Sequence, residues 1–359
     1  MKHVKLPGSR VVKTGVSIFV TAWICVLLDW PPVFAVITAI VTIEPTVSDS
    51  IKKGIVRFPA SAIGSAYAVF FISLFGNSPL TYTLAAVFTI VTCFKFKLHA
   101  GLLVATLTAV AMVEVIHSNF LISFFIRLGT TTTGLVVSTV VNMFVLPPDY
   151  TKEIARKIKA LRKKTGIAVE KVFAEILADN RNNLQETEVE LINQLVINGR
   201  QIETLIRFQS EETRYHPLVG TEKEQFQIAQ DHLVQLQLIL YHVDNLIYTP
   251  LNDLSWTSEE RTLIMRAVSS LAYSLQNKTN YTPAKHQQQL KALTEIFWED
   301  NEEITKTNKK HPTNFPPELI ILYELVTIYN LVEKYYNKPQ QEPDAFRAGA
   351  EKLKSEEPN

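Results

Sequence analysis

An all-α chain is the fold class this sequence predicts: six membrane-spanning helices, built as two inverted three-helix repeats, followed by a helical bundle outside the bilayer. Three observations predict it. Charge is segregated, since residues 1–148 hold ten Lys/Arg against four Asp/Glu while residues 149–359 hold 26 against 31. The first part divides into six apolar segments of near-membrane length, with basic residues at alternate turns. One stretch of it also occurs twice. Residues 35–64 align with 105–134 at a shift of seventy and without a gap, sharing seven identities in thirty positions. Ala35, Thr38, Ala39, Glu44, Ser48, Arg57 and Gly64 fall on Ala105, Thr108, Ala109, Glu114, Ser118, Arg127 and Gly134.

The six segments lie at about 11–29, 32–48, 51–75, 79–97, 99–117 and 119–146. Each is near the roughly 20 residues that cross a bilayer core. Their connections are short, so neighbours run antiparallel. Lys2, Lys5, Arg10 and Lys13 come before the first helix, Lys52, Lys53 and Arg57 follow the second, and Lys95 and Lys97 follow the fourth. A dense basic set across 152–164 follows the sixth, whereas the turns at 29–32, 76–79 and 117–119 contain no Lys or Arg. Basic turns stay on the cytoplasmic side, which places both termini there. Each repeat has an odd number of helices, so the second copy enters the membrane from the opposite face, an architecture of secondary transporters. The first thirty residues start like a signal peptide, but Asp29-Trp30-Pro31-Pro32 replaces a small-x-small cleavage site, so the helix is expected to remain. Cys25 and Cys93 lie in apolar runs and read as core residues rather than a disulfide or metal pair.

Beyond Pro147-Pro148 a soluble helical domain is expected over 149–337, with a disordered tail at 338–359 that is rich in charge and proline. Its first helix runs over Thr151–Leu177 and is basic at its start. A second over 184–209 carries the stripe Leu191, Ile192, Leu195, Ile202, Leu205 and Ile206. Thr221 with Glu224, and Thr257 with Glu260, have capping-box spacing and open a third and a fourth. Pro283 and Pro317 sit where the first turns of a fifth and a sixth belong. The pairs Asp231-His232 and His242-x-Asp244 resemble metal ligands, but ten residues along one helix is about 15 Å, too far for one ion. Tyr323, Tyr329, Tyr335 and Tyr336 read as core and rim of the last helix. There is no phosphate loop and no nucleophile–base arrangement, so no enzyme activity, cofactor, metal or nucleic-acid partner is expected.

Arg57 and Arg127 are the candidate functional residues, with Glu44 and Glu114. An intramembrane cation is costly, and such groups face partners or pathways. Two readings stand. Arg57 pairs with Glu44 and Arg127 with Glu114 across each hairpin, as structure only. Alternatively the two arginines line an anion path, where a guanidinium offers a carboxylate two parallel donors, and the glutamates orient them or carry protons. Gly64, Gly129 and Gly134 read as close-packing positions, and the hydroxyls of the Thr run at 130–133 as further donors.

The run Glu-Pro-Thr-Val-Ser-Asp-Ser at 44–50, then Gly54-x-x-Arg57 and Gly64, resembles the aromatic acid exporter family of bacteria, which groups with fusaric-acid-resistance-type membrane proteins. Arg127-Leu128-Gly129-Thr130 followed by Gly134 is similar to that family's Arg-x-Gly-Thr-x-x-x-Gly pattern; the first copy departs from it at Phe58-Pro59-Ala60. The resemblance implies a bacterial cell-membrane protein that exports aromatic carboxylic acids or related organic anions without hydrolysing ATP. Plant anion channels of similar plan make a channel the alternative, and a non-transporting membrane protein whose soluble bundle docks a partner is the other. A homodimer in the bilayer is expected, because thin bundles lining an anion path commonly assemble. The topology predicts that Lys52→Cys or Lys95→Cys is shielded from an impermeant thiol reagent in intact cells, whereas Asp29→Cys or Asn119→Cys is labelled. Labelling at 52 or 95 from outside would overturn the orientation and the inverted repeat with it.

Overall fold

A computed structural model describes residues 8–115, 120–178, 187–249, 254–307 and 316–337. The turn at 117–119, Lys2, Lys5 and the tail over 338–359 lie outside the described residues. Among those described there are twelve α-helices and no strand. Their contacts divide the chain into two compact units: Met1–Tyr150 with Arg207–Leu218, and Thr151–Ile206 with Val219–Asn359.

In the first unit, α1 (Ser9–Leu27), α3 (Val47–Phe75) and α6 (Phe120–Phe144) are long and apolar enough to cross a membrane. Shorter apolar helices are α2 (Pro32–Thr42), α4 (Pro79–Lys95) and α5 (Leu102–Val115), the last preceded by a 3-10 turn at His99–Gly101. The expected helix over 32–48 is not continuous. Eleven residues give α2 only about 16 Å of length against a core of about 30 Å. The cause is Pro45, which lacks a donor and drives the residue before it out of helical geometry. Ile43 is already extended, and Thr46 starts α3 by accepting from the Asp49 amide at 3.0 Å. The third helix therefore begins at Val47 rather than near 51, and Glu44 lies in the link instead of in a helix.

Buried side chains satisfy that link. Asn142 of α6 donates through Nδ2 to the carbonyls of Glu44 (3.1 Å) and Thr46 (3.3 Å), and Lys13 donates to Asn142 Oδ1 at 2.8 Å. Buried backbone groups outside a helix need partners of this kind. Lys13 is thus a buried residue within α1, not a turn residue ahead of it. Residues 207–218 pack in the same unit. Glu212, fully buried, accepts from the Val47 amide at 3.1 Å and places a carboxylate at the N-terminus of α3, where the helix dipole favours it.

Helix packing has the same pattern in both halves of the first unit. α3 packs on α5 and α4, α6 packs on α2 and α1, α1 pairs with α2, α4 pairs with α5, and α3 crosses α6. Two of these contacts are backbone approaches. A methyl group on Gly64 would meet the Ala105 carbonyl oxygen, and one on Gly134 would meet that of Ala35 and come within 2.9 Å of Thr38 Cβ. Gly64, Ala105, Gly134 and Ala35 are all identities of the repeat.

The second unit holds α7 (Thr151–Leu177), most of α8 (Thr187–Glu212), α9 (Thr221–Tyr248), α10 (Ser258–Gln276), α11 (Pro283–Thr307) and α12 (Pro317–Tyr336). Its core comprises Phe173, Ile176, Leu236, Leu240, Val268, Leu271, Leu325 and Tyr329. Of the predicted stripe on α8, Ile192, Leu195 and Ile202 are buried. Thr257 and Glu260 form a reciprocal capping box, and prolines open α11 and α12. The capping box expected at Thr221 and Glu224 does not form. Thr221 is already helical, and Gly220, in left-handed backbone at φ 55°, holds the cap position without a side chain to bond.

Overpacking a tight contact costs about 1–3 kcal/mol, more than the up to ~1 kcal/mol that leaving glycine returns to a helix. Gly64→Ala and Gly134→Ala are therefore expected to lower the thermal midpoint in detergent. Gly54→Ala, whose methyl would meet Leu135 at an ordinary 3.8 Å, is expected to leave it unchanged or raise it. Equal midpoints for all three would remove the close-approach account.

Candidate functional site

Arg57 and Arg127 occupy equivalent positions of the repeat, and both are buried, 6% and 4% exposed. Their surroundings differ. Arg57 Nη2 meets Glu44 Oε1 at 2.7 Å, and its Nε donates to the Ala100 carbonyl at 3.2 Å. The other Glu44 oxygen accepts from Lys53 at 2.9 Å. This charge is closed against a carboxylate.

Arg127 has no such partner. The expected pairing with Glu114 does not form, because Glu114 is exposed and accepts from Tyr82 Oη at 2.6 Å. Among the described residues no carboxylate pairs with Arg127. Its Nη2 donates to Thr108 Oγ1, while Nε and Nη1 are buried without a hydrogen-bond partner. The guanidinium carbon stands 4.2 Å from the centre of the Phe34 ring, a cation–π contact. Beside it is a cavity of about 70 Å³ lined by Phe34, Met112, Ser123, Ile126, Arg127 and Thr130 with Pro31. A buried guanidinium with two unused donors beside an aromatic face and a small cavity offers charge and hydrogen bonds to an anion, for which the cavity would have to widen to admit a ring. The guanidinium supplies charge and its unused Nε and Nη1 donors, and Phe34 supplies an aromatic surface.

The neighbouring hydroxyls order the site. Thr108 accepts from Arg127 and lies 3.4 Å from Ser61, which lies 3.2 Å from Thr131. Ser61 and Thr131 are themselves equivalent in the repeat, so this contact sits where the two copies cross. The hydroxyls of the run at 130–133 all return to carbonyls of their own helix, Thr130 and Thr131 to that of Arg127 at 2.9 Å. They brace the helix and are not aimed at a ligand. The indole of Trp30 covers Gly129, with Cζ2 3.3 Å from the place a Cβ would take. Sequence reasoning missed Phe34, Lys13 and Asn142. Phe34 lies one residue ahead of the repeat; a lone Lys and a lone Asn within apolar segments were the signals for the other two.

A family model described as "Aromatic acid exporter family member 1" matches residues 6–145. A UPF0421 protein of Oceanobacillus iheyensis is 46% identical over 339 residues, covering 94% of this chain and 97% of that protein. A UPF0421 protein of Bacillus cereus is 41% identical over 329 residues, covering 91% and 92%. One of Staphylococcus haemolyticus is 35% identical over 343 residues, covering 93% and 98%. With relatives of 35–46% identity over more than nine-tenths of its length, this chain belongs to the UPF0421 proteins, and its residues 6–145 match the aromatic acid exporter family.

Proposed function

We propose that this chain is a bacterial cell-membrane transporter that exports aromatic carboxylic acids or related organic anions, with Arg127 as the anion-binding residue. The match to an exporter family and helices apolar enough to cross a bilayer suggest a membrane transporter. The observation that carries the assignment to Arg127 is its guanidinium, buried beside Phe34 with two donors unused and, among the described residues, no carboxylate on it. A cation in an apolar bundle with no counter-charge is too costly to retain for packing alone. An anionic substrate supplies the counter-charge transiently.

The proposed frame is six helices in two inverted repeats with both termini and the second unit in the cytoplasm. It is supported by the common packing pattern of α1–α3 and α4–α6 and by exposed Phe19, Trp23, Phe88 and Phe125 on outward faces. The basic turns support the orientation. At about 70 Å³ the cavity is well below the roughly 300 Å³ at which small-molecule pockets begin. Passage then requires α2 and α6 to part, so this conformation is a closed one. Arg57, held by Glu44, braces the inner end of the path and does not bind the cargo. Its role is structural charge neutralisation.

Arg127→Gln leaves no carboxylate behind. The protein is expected to reach the membrane at wild-type level, while counterflow of labelled benzoate in proteoliposomes falls at least tenfold. Arg127→Lys keeps the charge but loses the fork and is expected to fall sharply too. Wild-type counterflow by Arg127→Gln would refute the proposed site.

Arg57→Gln behaves differently, because Glu44 Oε1 then loses its buried partner and only the partly exposed Lys53 remains as counter-charge. The expected result is loss of folded protein, with recovery of both protein and counterflow in Arg57→Gln with Glu44→Gln. A double variant that folds but does not transport would instead put Arg57 in the path.

A further inference from the structure

The second unit contains a cavity of about 570 Å³ between α7, α9, the turn at Lys278–Asn280 and the end of α12. Three cations line it, Lys159, Arg162 and Lys278, and no Asp or Glu does. Arg162 is 6% exposed, and among the described residues no carboxylate is paired with it. Its Nη1 donates to Tyr336 Oη at 2.8 Å, and that hydroxyl donates onward to the Ser274 carbonyl at 2.6 Å, so the guanidinium is held in place. One wall is aromatic: Tyr335 stacks on His232 with centroids 4.0 Å apart and planes at 19°. Ile158 and Ile228 form an apolar wall.

Burial pushes the His232 imidazole below its ordinary value, and Lys278 and Arg162 push the same way against Asp231 and the Tyr335 backbone bond. At neutral pH the ring is therefore an uncharged stacking surface. The positive charge of the cavity comes from the two lysines and the arginine. The volume lies within the 300–1,000 Å³ of ordinary small-molecule sites.

We propose that this cavity binds an aromatic carboxylate, the carboxylate on Arg162 with Lys159 and Lys278 around it, and the ring against Tyr335 and Ile158. A compact inorganic anion would use the cations alone, whereas the aromatic and apolar walls reward a flat apolar body. The site does not rest on the transport reading. It lies within the second unit, and it would stand if Arg127 had no part in binding.

The test is calorimetric titration of the full chain in detergent with 2-naphthoate, benzoate and inorganic phosphate. Naphthoate is expected to bind, more tightly than benzoate, with affinity reduced at least tenfold in Arg162→Gln and in the double variant Lys159→Gln with Lys278→Gln. Both lysines are exposed, so the double variant tests the site even where Arg162→Gln fails to fold. Arg127→Gln removes the other proposed anion site, and in that background naphthoate is expected to bind still, with the same dependence on Arg162, Lys159 and Lys278. The proposal is overturned if naphthoate does not bind, if the lysine double variant binds it unchanged, or if binding is lost in Arg127→Gln alone. Equal affinity for phosphate and naphthoate would also overturn it, by reducing the cavity to a patch of cations.

Discussion

Two backbone contacts, Gly64 against Ala105 and Gly134 against Ala35, set the geometry of the first unit. Inside lipid, apolar side chains gain nothing by meeting each other rather than acyl chains, so helices associate by close packing. With no Cβ at either glycine, α3 settles onto α5 and α6 onto α2 at carbonyl distance. That closeness brings the Ser61, Thr108 and Thr131 hydroxyls together at the crossing and leaves Arg127 sealed beside Phe34. Removing one approach would let the hydroxyl cluster, and the guanidinium that leans on Thr108, drift apart.

The two copies of the Arg–Glu pair show how one helix break alters chemistry. Glu44 precedes Arg57 by thirteen residues, and Glu114 precedes Arg127 by the same interval. Pro45 ends α2 early, so Glu44 sits on a link that can bring its carboxylate to Arg57. Glu114 lies in the last turn of α5, which runs to Val115, and its carboxylate accepts from Tyr82. Arg57 thus has a carboxylate on it, although its Nη1 is also buried without a hydrogen-bond partner, whereas Arg127 has no carboxylate among the described residues.

The all-helical fold, the change of character after Pro148 and the helix starts at Thr257, Pro283 and Pro317 were legible because each rests on local chemistry: hydropathy, charge and capping. The repeat was legible because charged identities rarely recur by chance in apolar runs. Which partner each arginine would take was not legible. A pairing across a hairpin depends on where the helix stops, and the sequence reading carried α2 through Pro45. Asn142 and Lys13 were hidden for a related reason. Their work is to satisfy groups 92–129 residues away in the chain, and no short-range pattern signals that. The cation-lined cavity of the second unit is likewise assembled from four separate segments.

Residues 207–218 pack in the first unit, although the chain between Tyr150 and Arg207 belongs to the second. The first unit is therefore discontinuous along the chain, and its completion has an order in time. Val47 and Glu212, which caps α3, are 165 residues apart, so at roughly 5–20 residues per second the cap leaves the ribosome about 8–33 s after the amide it serves. Throughout that interval the apolar helices are made while the start of α3 has no carboxylate from Glu212 on it. Maturation of the first unit must wait for a segment synthesised after α7, so the sequence beyond Tyr150 is a participant in its assembly and not a passenger added at the end.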